Sequence, residues 1–78
     1  MPNVTIYTTP SCVFCKMTKA FFQANGVKYE EKDVAEDLQA REAMVQKSGQ
    51  LGVPVIDVGG EIVVGFDKEK LSDLLNIK

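Results

Sequence analysis

Between Thr8 and Val13 the apolar pattern changes its period, and this restricts the fold more than any other feature of the chain. From Asn3 to Thr8 the residues alternate, with Val4, Ile6 and Thr8 on one side and Thr5 and Tyr7 on the other, as a strand requires. The break Thr9-Pro10-Ser11 follows. From about Val13 the spacing is helical: Val13, Met17, Ala20, Phe21 and Ala24 share one face, Lys16, Lys19 and Gln23 take another, and Asn25-Gly26 ends the run. A strand feeding a helix can bury both apolar faces only against further elements, so the rest of the chain must supply them.

It does so in the same alternating manner. Val27 to Asp33 returns to a strand pattern whose charges suit a sheet edge. Asp33 and Glu36 have the spacing of a capping box and predict a second helix over Ala35 to Ser48, closed by Gly49. Val53 to Val58 is β-branched and apolar at most positions. Gly59-Gly60 suits a two-residue hairpin turn, and Glu61 to Val64 runs back as its partner. Asp67 then caps a closing helix with Leu71, Leu74 and Leu75 on its inner face. The expected fold class is α/β in the order β-α-β-α-β-β-α. A right-handed βαβ unit and an antiparallel hairpin share one mixed four-stranded sheet flanked by helices. Met17, Phe21 and Leu74 are assigned to the core.

Size and composition bound the function. Seventy-eight residues are expected to form one domain, 1–78, with no room for a second. Hydrophobic residues at 45% and charged residues at 26% match an ordinary globule. The longest apolar runs are only a few residues, such as Val53 to Ile56, far from the roughly 20 residues of a membrane helix. Met1-Pro2-Asn3 offers no basic leader, so the expected location is cytoplasmic. A net charge of −2 gives no footprint for nucleic acid, and the acidic stretch from Glu30 to Glu42 reads as a solvated face. Histidine is absent, which removes the commonest general base and metal ligand.

The remaining chemistry lies in Cys12-Val13-Phe14-Cys15, placed where the first strand meets the first helix. As a staple the pair is poor: closing so short a loop is worth about 2 kcal/mol, against about 3 for fifteen residues. Two buried small hydrophobes, half of a zinc site, and a redox dithiol all use this spacing. A Cys/His metal site needs four ligands, so one chain cannot complete it; the alternative function is an iron–sulfur cluster or metal carrier formed as a dimer. Beside a βαβ unit the pair reads as a thiol–disulfide centre. The helix N-terminus carries about half a positive charge, which favours a thiolate at Cys12. Lowering a thiol pKa from ~8.5 to ~7 raises the ionised fraction at pH 7 about fifteenfold. Lys16 and Lys19 can add to this. Cys12 at the exposed tip is read as nucleophile, and Cys15, turned towards the domain, as resolving thiol.

With Cys12-Val13-Phe14-Cys15, Gly52-Val53-Pro54 and Val64-Gly65-Phe66-Asp67 in this order, the chain resembles the glutaredoxin-like branch of the thioredoxin fold. The resemblance implies a cis Val53–Pro54 bond; the base rate alone, about 5 to 6% of X-Pro bonds, favours a trans edge-strand proline. It also implies that the Val53 backbone pairs with the sulfur-bearing residue of a peptide or glutathione, and that the turn Gly65-Phe66-Asp67 receives a carboxylate. Phe66 is left open between core and exposed contact. Three departures matter: Thr9 stands where glutaredoxins carry a glutathione-binding lysine, Val64-Gly65 replaces Gly-Gly, and Val13-Phe14 replaces Pro-Tyr. Val13 after the first cysteine and Gly65-Phe66 near the end look more like the small redoxins that feed ribonucleotide reductase and are recharged by a flavin-dependent thioredoxin reductase. The implied protein is a monomeric electron carrier for protein disulfides without a tightly bound cofactor. Its donor is a thioredoxin-reductase-type flavoprotein or glutathione, with Thr9 weighing against glutathione.

Overall fold

The structure, a computed structural model, describes residues 3–77. Its elements are β1 (Val4–Thr8), α1 (Val13–Ala24), β2 (Glu30–Asp33), α2 (Leu38–Ser48), β3 (Val55–Val58), β4 (Glu61–Val64) and α3 (Lys68–Leu75). The sheet order is β2-β1-β3-β4, with β1 parallel to β2 and antiparallel to β3, and β3 antiparallel to β4. This is the expected mixed sheet. Period-two alternation divides the side chains between its faces. Val4, Ile6, Ile56, Val58 and Val63 pack with Phe22 of α1 and Leu71 and Leu75 of α3. Tyr7 and Val55 pack on the other face with Ala40 and Met44 of α2.

Element ends follow from local chemistry. Gly59 and Gly60 both take positive φ, 58° and 100°, and Gly60 N–H donates to Asp57 Oδ1 at 2.7 Å, closing the hairpin. Asp67 Oδ1 accepts from Lys70 N at 3.1 Å and starts α3. Pro54 has no N–H to give to a ladder, and β3 begins at Val55, two residues later than the pattern suggested.

Three other expectations are corrected. The second helix starts at Leu38, not Ala35: Asp37 is its cap, accepting from Ala40 N at 3.1 Å. Asp33 instead accepts from Ala35 N at 2.9 Å, and its carbonyl takes the N–H groups of Glu36 and Asp37. It is a turn residue, because a short carboxylate serves such a turn as well as it serves a cap. Val27 and Tyr29 pack inward, Val27 buried and Tyr29 half-buried, but precede β2, whose register with β1 spans only Glu30 to Asp33.

The third correction concerns the phase of α1. Its buried stripe is Cys15, Thr18 and Phe22, while Met17 is 45% exposed and Phe21 only half-buried. Leu74 is also half-buried, against the core edge. A polar residue at position 18 misleads a hydrophobicity pattern. Its hydroxyl is satisfied within the helix by donating to the Phe14 carbonyl at 2.7 Å, so Thr18 is buried without an unpaired group. Replacing Phe22 by Ala should therefore cost about 3–5 kcal/mol of unfolding free energy, whereas Met17→Ala should stay within about 1 kcal/mol. Urea unfolding of the two variants distinguishes the faces, and equal losses would reject the assigned phase.

Two ion-pair networks tie helices to strands. Glu31 Oε2 accepts from Lys19 Nζ and from Thr8 Oγ1, both at 2.9 Å, joining α1, β2 and β1. Lys47 Nζ donates to Asp57 Oδ2 at 2.9 Å and to Tyr7 Oη at 3.1 Å, joining α2 to β3 and β1. The Lys19 hydrogen bond leads in holding Glu31 below its ordinary 4.5. Burial pushes Asp57 up, but Lys47 and the Gly60 N–H outweigh it and leave the carboxyl below 3.8. Both groups thus stabilise the fold above these unfolded values and lose that contribution as pH falls through the lower folded ones. The urea midpoint should hold from neutrality to about pH 5 and fall below it. The Glu31→Gln/Asp57→Asn double variant should show a shallower decline, and identical pH profiles would reject the linkage.

Candidate active site

Three segments meet at one end of the sheet because strand direction sends them there. β1 runs out at Thr8, and its pairing of Tyr7 with Val55 sets the chain before β3 beside that end. The Val53–Pro54 bond is cis, and Pro54 O accepts Gly65 N–H at 2.8 Å, which draws the end of β4 to the same place. Gly65 takes φ 80°, a conformation costly for other residues, and so allows the chain to turn into α3. A cavity of about 830 Å³ lies at the opposite end, among Asn3, Val4, Gly26, Val27 and Leu75, and has no part in this site.

Cys12 is the N-cap of α1. Its N–H donates to Thr9 O at 3.3 Å, its carbonyl accepts from Lys16 N at 3.3 Å, and its Sγ accepts the Cys15 N–H at 3.0 Å. Cys12 Sγ and Cys15 Sγ are joined as a disulfide with Cα atoms 5.2 Å apart. The two sulfurs are not equivalent. Cys15 is 1% exposed, facing the interior with Thr18 and Phe22, while Cys12 is only half-buried at the helix tip.

The neighbouring cations behave differently from expectation. Lys19 is held by Glu31 and is thereby taken from the sulfurs. Lys16 is exposed one turn beyond the cap. The helix terminus itself therefore supplies the local positive potential at Cys12.

Of the other predicted site residues, Val53 is half-buried against the α2-side core and Pro54 is buried. The Val53 N–H and C=O make no hydrogen bond among the described residues. Phe66 is half-buried, with one side packed at the core edge, where it meets Phe21 edge-on with centroids 5.8 Å apart. Asp67 commits one carboxylate oxygen to its own helix. Thr9 is half-buried and offers a hydroxyl where a cation would be needed.

Sequence reading missed two features. Val13 (66% exposed), Phe14 (59%) and Leu51 (59%) stand out from the segments flanking the disulfide and the cis bond. The signal for the first two was the helical phase fixed by Cys15. The second feature is a side-chain clamp at Gln50, which has no signature in composition or periodicity. Among the described residues no group of three or more His, Cys, Asp or Glu side chains is placed to hold a metal ion.

After reduction, Cys12 should be alkylated by iodoacetamide at neutral pH, and Cys15 should be at least ten times slower because it is buried. Peptide mapping after a short pulse measures this; equal labelling of both thiols would contradict the asymmetry.

Comparison with known proteins agrees with this geometry. The Glutaredoxin family model matches residues 4–63. A glutaredoxin-like 8.6 kDa protein of the rubredoxin operon of Clostridium pasteurianum is 40% identical over 72 residues, covering 92% of this chain and 96% of that one. A mutant of the thioredoxin-like protein BC3987 superimposes with a TM-score of 0.93 at 38% identity, each chain covered in full. The NrdH-redoxin of Escherichia coli, described as glutaredoxin-like with a thioredoxin-like activity profile, gives 0.83 at 30% identity, covering 92% of this chain and 93% of that one.

Proposed function

Because the chain belongs to the glutaredoxin family of thiol oxidoreductases, we propose that it is a dithiol electron carrier that reduces protein disulfides through Cys12 and Cys15. The observation that carries this reading is the asymmetry of the pair: a half-exposed sulfur at a helix N-cap, bonded to a buried one three residues on. In the reduced protein the Cys15 N–H and the helix dipole favour the Cys12 thiolate. That thiolate attacks one sulfur of the substrate disulfide, forms a mixed disulfide and expels the first substrate thiolate. Cys15, as thiolate, then attacks Cys12 Sγ, forms the intramolecular disulfide and releases the second substrate thiolate. Two electrons pass from the carrier to the substrate, and the carrier is left oxidised.

Val53, Pro54, Gly65, Phe66 and Asp67 make up the substrate-binding surface in this reading. The open Val53 backbone accepts an extended peptide next to its cysteine, as a strand edge does. Pro54 fixes the wall beside the sulfurs, Phe66 braces the Gly65 turn, and the start of α3 favours an anionic group. The likeness to NrdH-redoxin and the hydroxyl of Thr9 support a flavoprotein disulfide reductase over glutathione as electron donor. The apolar side chains of Val13, Phe14 and Leu51 suit a protein surface better than a charged tripeptide.

Cys15→Ser should accumulate a mixed disulfide through Cys12, visible as a mass adduct, and Cys12→Ser should abolish turnover. Comparable residual activity in both variants would reject the assigned roles. In parallel, NADPH with thioredoxin reductase should reduce the oxidised protein at least ten times faster than glutathione with its own reductase. The reverse order would overturn the donor assignment and leave the dithiol chemistry standing.

A further inference from the structure

The segment between α2 and the cis bond is short, carries Gly49 and Gly52, and belongs to no helix or strand, yet its backbone is held by its own side chains. Gln50 bonds both main-chain groups of Gly52: Gly52 N–H donates to Gln50 Oε1 at 2.8 Å, and Gln50 Nε2 donates to Gly52 O at 3.0 Å. The amide occupies the position that a neighbouring strand would take. Ser48 holds the other side of Gln50. Its Oγ donates to Met44 O at 2.7 Å or to Gln50 O at 3.0 Å, and accepts from Gln50 N at 3.3 Å. The next residue is Val53, whose N–H and C=O are the open pair described above.

We propose that Gln50 is a positioning residue for peptide substrates: its amide bridges the Gly52 N–H and C=O and so sets the Val53 backbone edge in place for the chain that flanks the substrate cysteine. This rests on the oxidoreductase reading and extends it to a residue that touches neither sulfur nor substrate. Unclamped, a Gly-containing loop samples many conformations, and ordering it at each encounter weakens binding. The clamp also explains Gly52 without recourse to φ. A Cβ there would sit 2.7 Å from Gln50 Oε1, and the three atoms nearest to it, beyond the chain neighbours, all belong to the Gln50 side chain. Any larger residue must therefore push the amide out of its double bond. Small disulfides that lack a peptide backbone do not use the Val53 edge and are indifferent to the clamp.

The test compares Gln50→Ala, Gly52→Ala and the double variant. The substrates are a disulfide-linked peptide and 2-hydroxyethyl disulfide. Each single variant should raise KM for the peptide about three- to tenfold, with kcat and 2-hydroxyethyl disulfide turnover within about twofold of wild type. The double variant should be no worse than Gln50→Ala, since without the amide the Gly52 Cβ loses its three nearest contacts. Hydrogen exchange at the Gly52 amide should accelerate at least tenfold in Gln50→Ala. Unchanged peptide KM, an equal loss on both substrates, or additive effects in the double variant would overturn the proposal. Wild-type protein that reduces neither disulfide would instead overturn the oxidoreductase reading and the substrate role with it. Unaltered Gly52 exchange would show separately that the clamp is at fault.

Discussion

The hydrogen bond from the Cys15 N–H to Cys12 Sγ joins structure and chemistry in one contact. A helix must satisfy its first N–H groups, and an oxygen-bearing side chain normally does so. Here a sulfur caps α1. The atom that caps the helix is also one end of the disulfide, so the helix cannot be displaced from the sheet without altering the site. The opposite side of the first turn carries Cys15 into the core beside Phe22, which fixes the rotation of the helix and with it the exposed positions of Val13 and Phe14.

Strand connectivity explains why the other site segments arrive at the same end. β1 and β2 are parallel and β3 antiparallel to them, so the end of β1 meets the start of β3. The hairpin then returns β4 to Pro54, where Gly65 N–H closes the contact. No long loop is needed, and a chain of 78 residues can still place three separate segments around one disulfide.

Much of this was legible in the sequence where local chemistry and periodicity agree. The element order, the Gly59-Gly60 turn, the Asp67 cap and the placing of the cysteines at a strand-to-helix junction belong to that class. The phase of α1 was not legible, because Thr18 hides a buried position behind a polar residue while Met17 advertises an exposed one. The start of α2 was misplaced because Asp33 and Asp37 are both competent caps, and only the turn between them decides which one serves. The Gln50 clamp lay beyond reach altogether: it depends on a side chain folding back on its own backbone two residues away, which no pattern of hydrophobicity records.

The two lateral strands of the sheet bear on how such a molecule lives among its neighbours. Glu30, Glu31, Lys32 and Asp33 make the whole of β2, and β4 is only four residues long and opens with Glu61. A sticky flank is an invitation to sideways stacking. With one flank ionic and the other brief, sideways pairing is disfavoured, which leaves the end that carries the disulfide for the encounters that the proposed function requires.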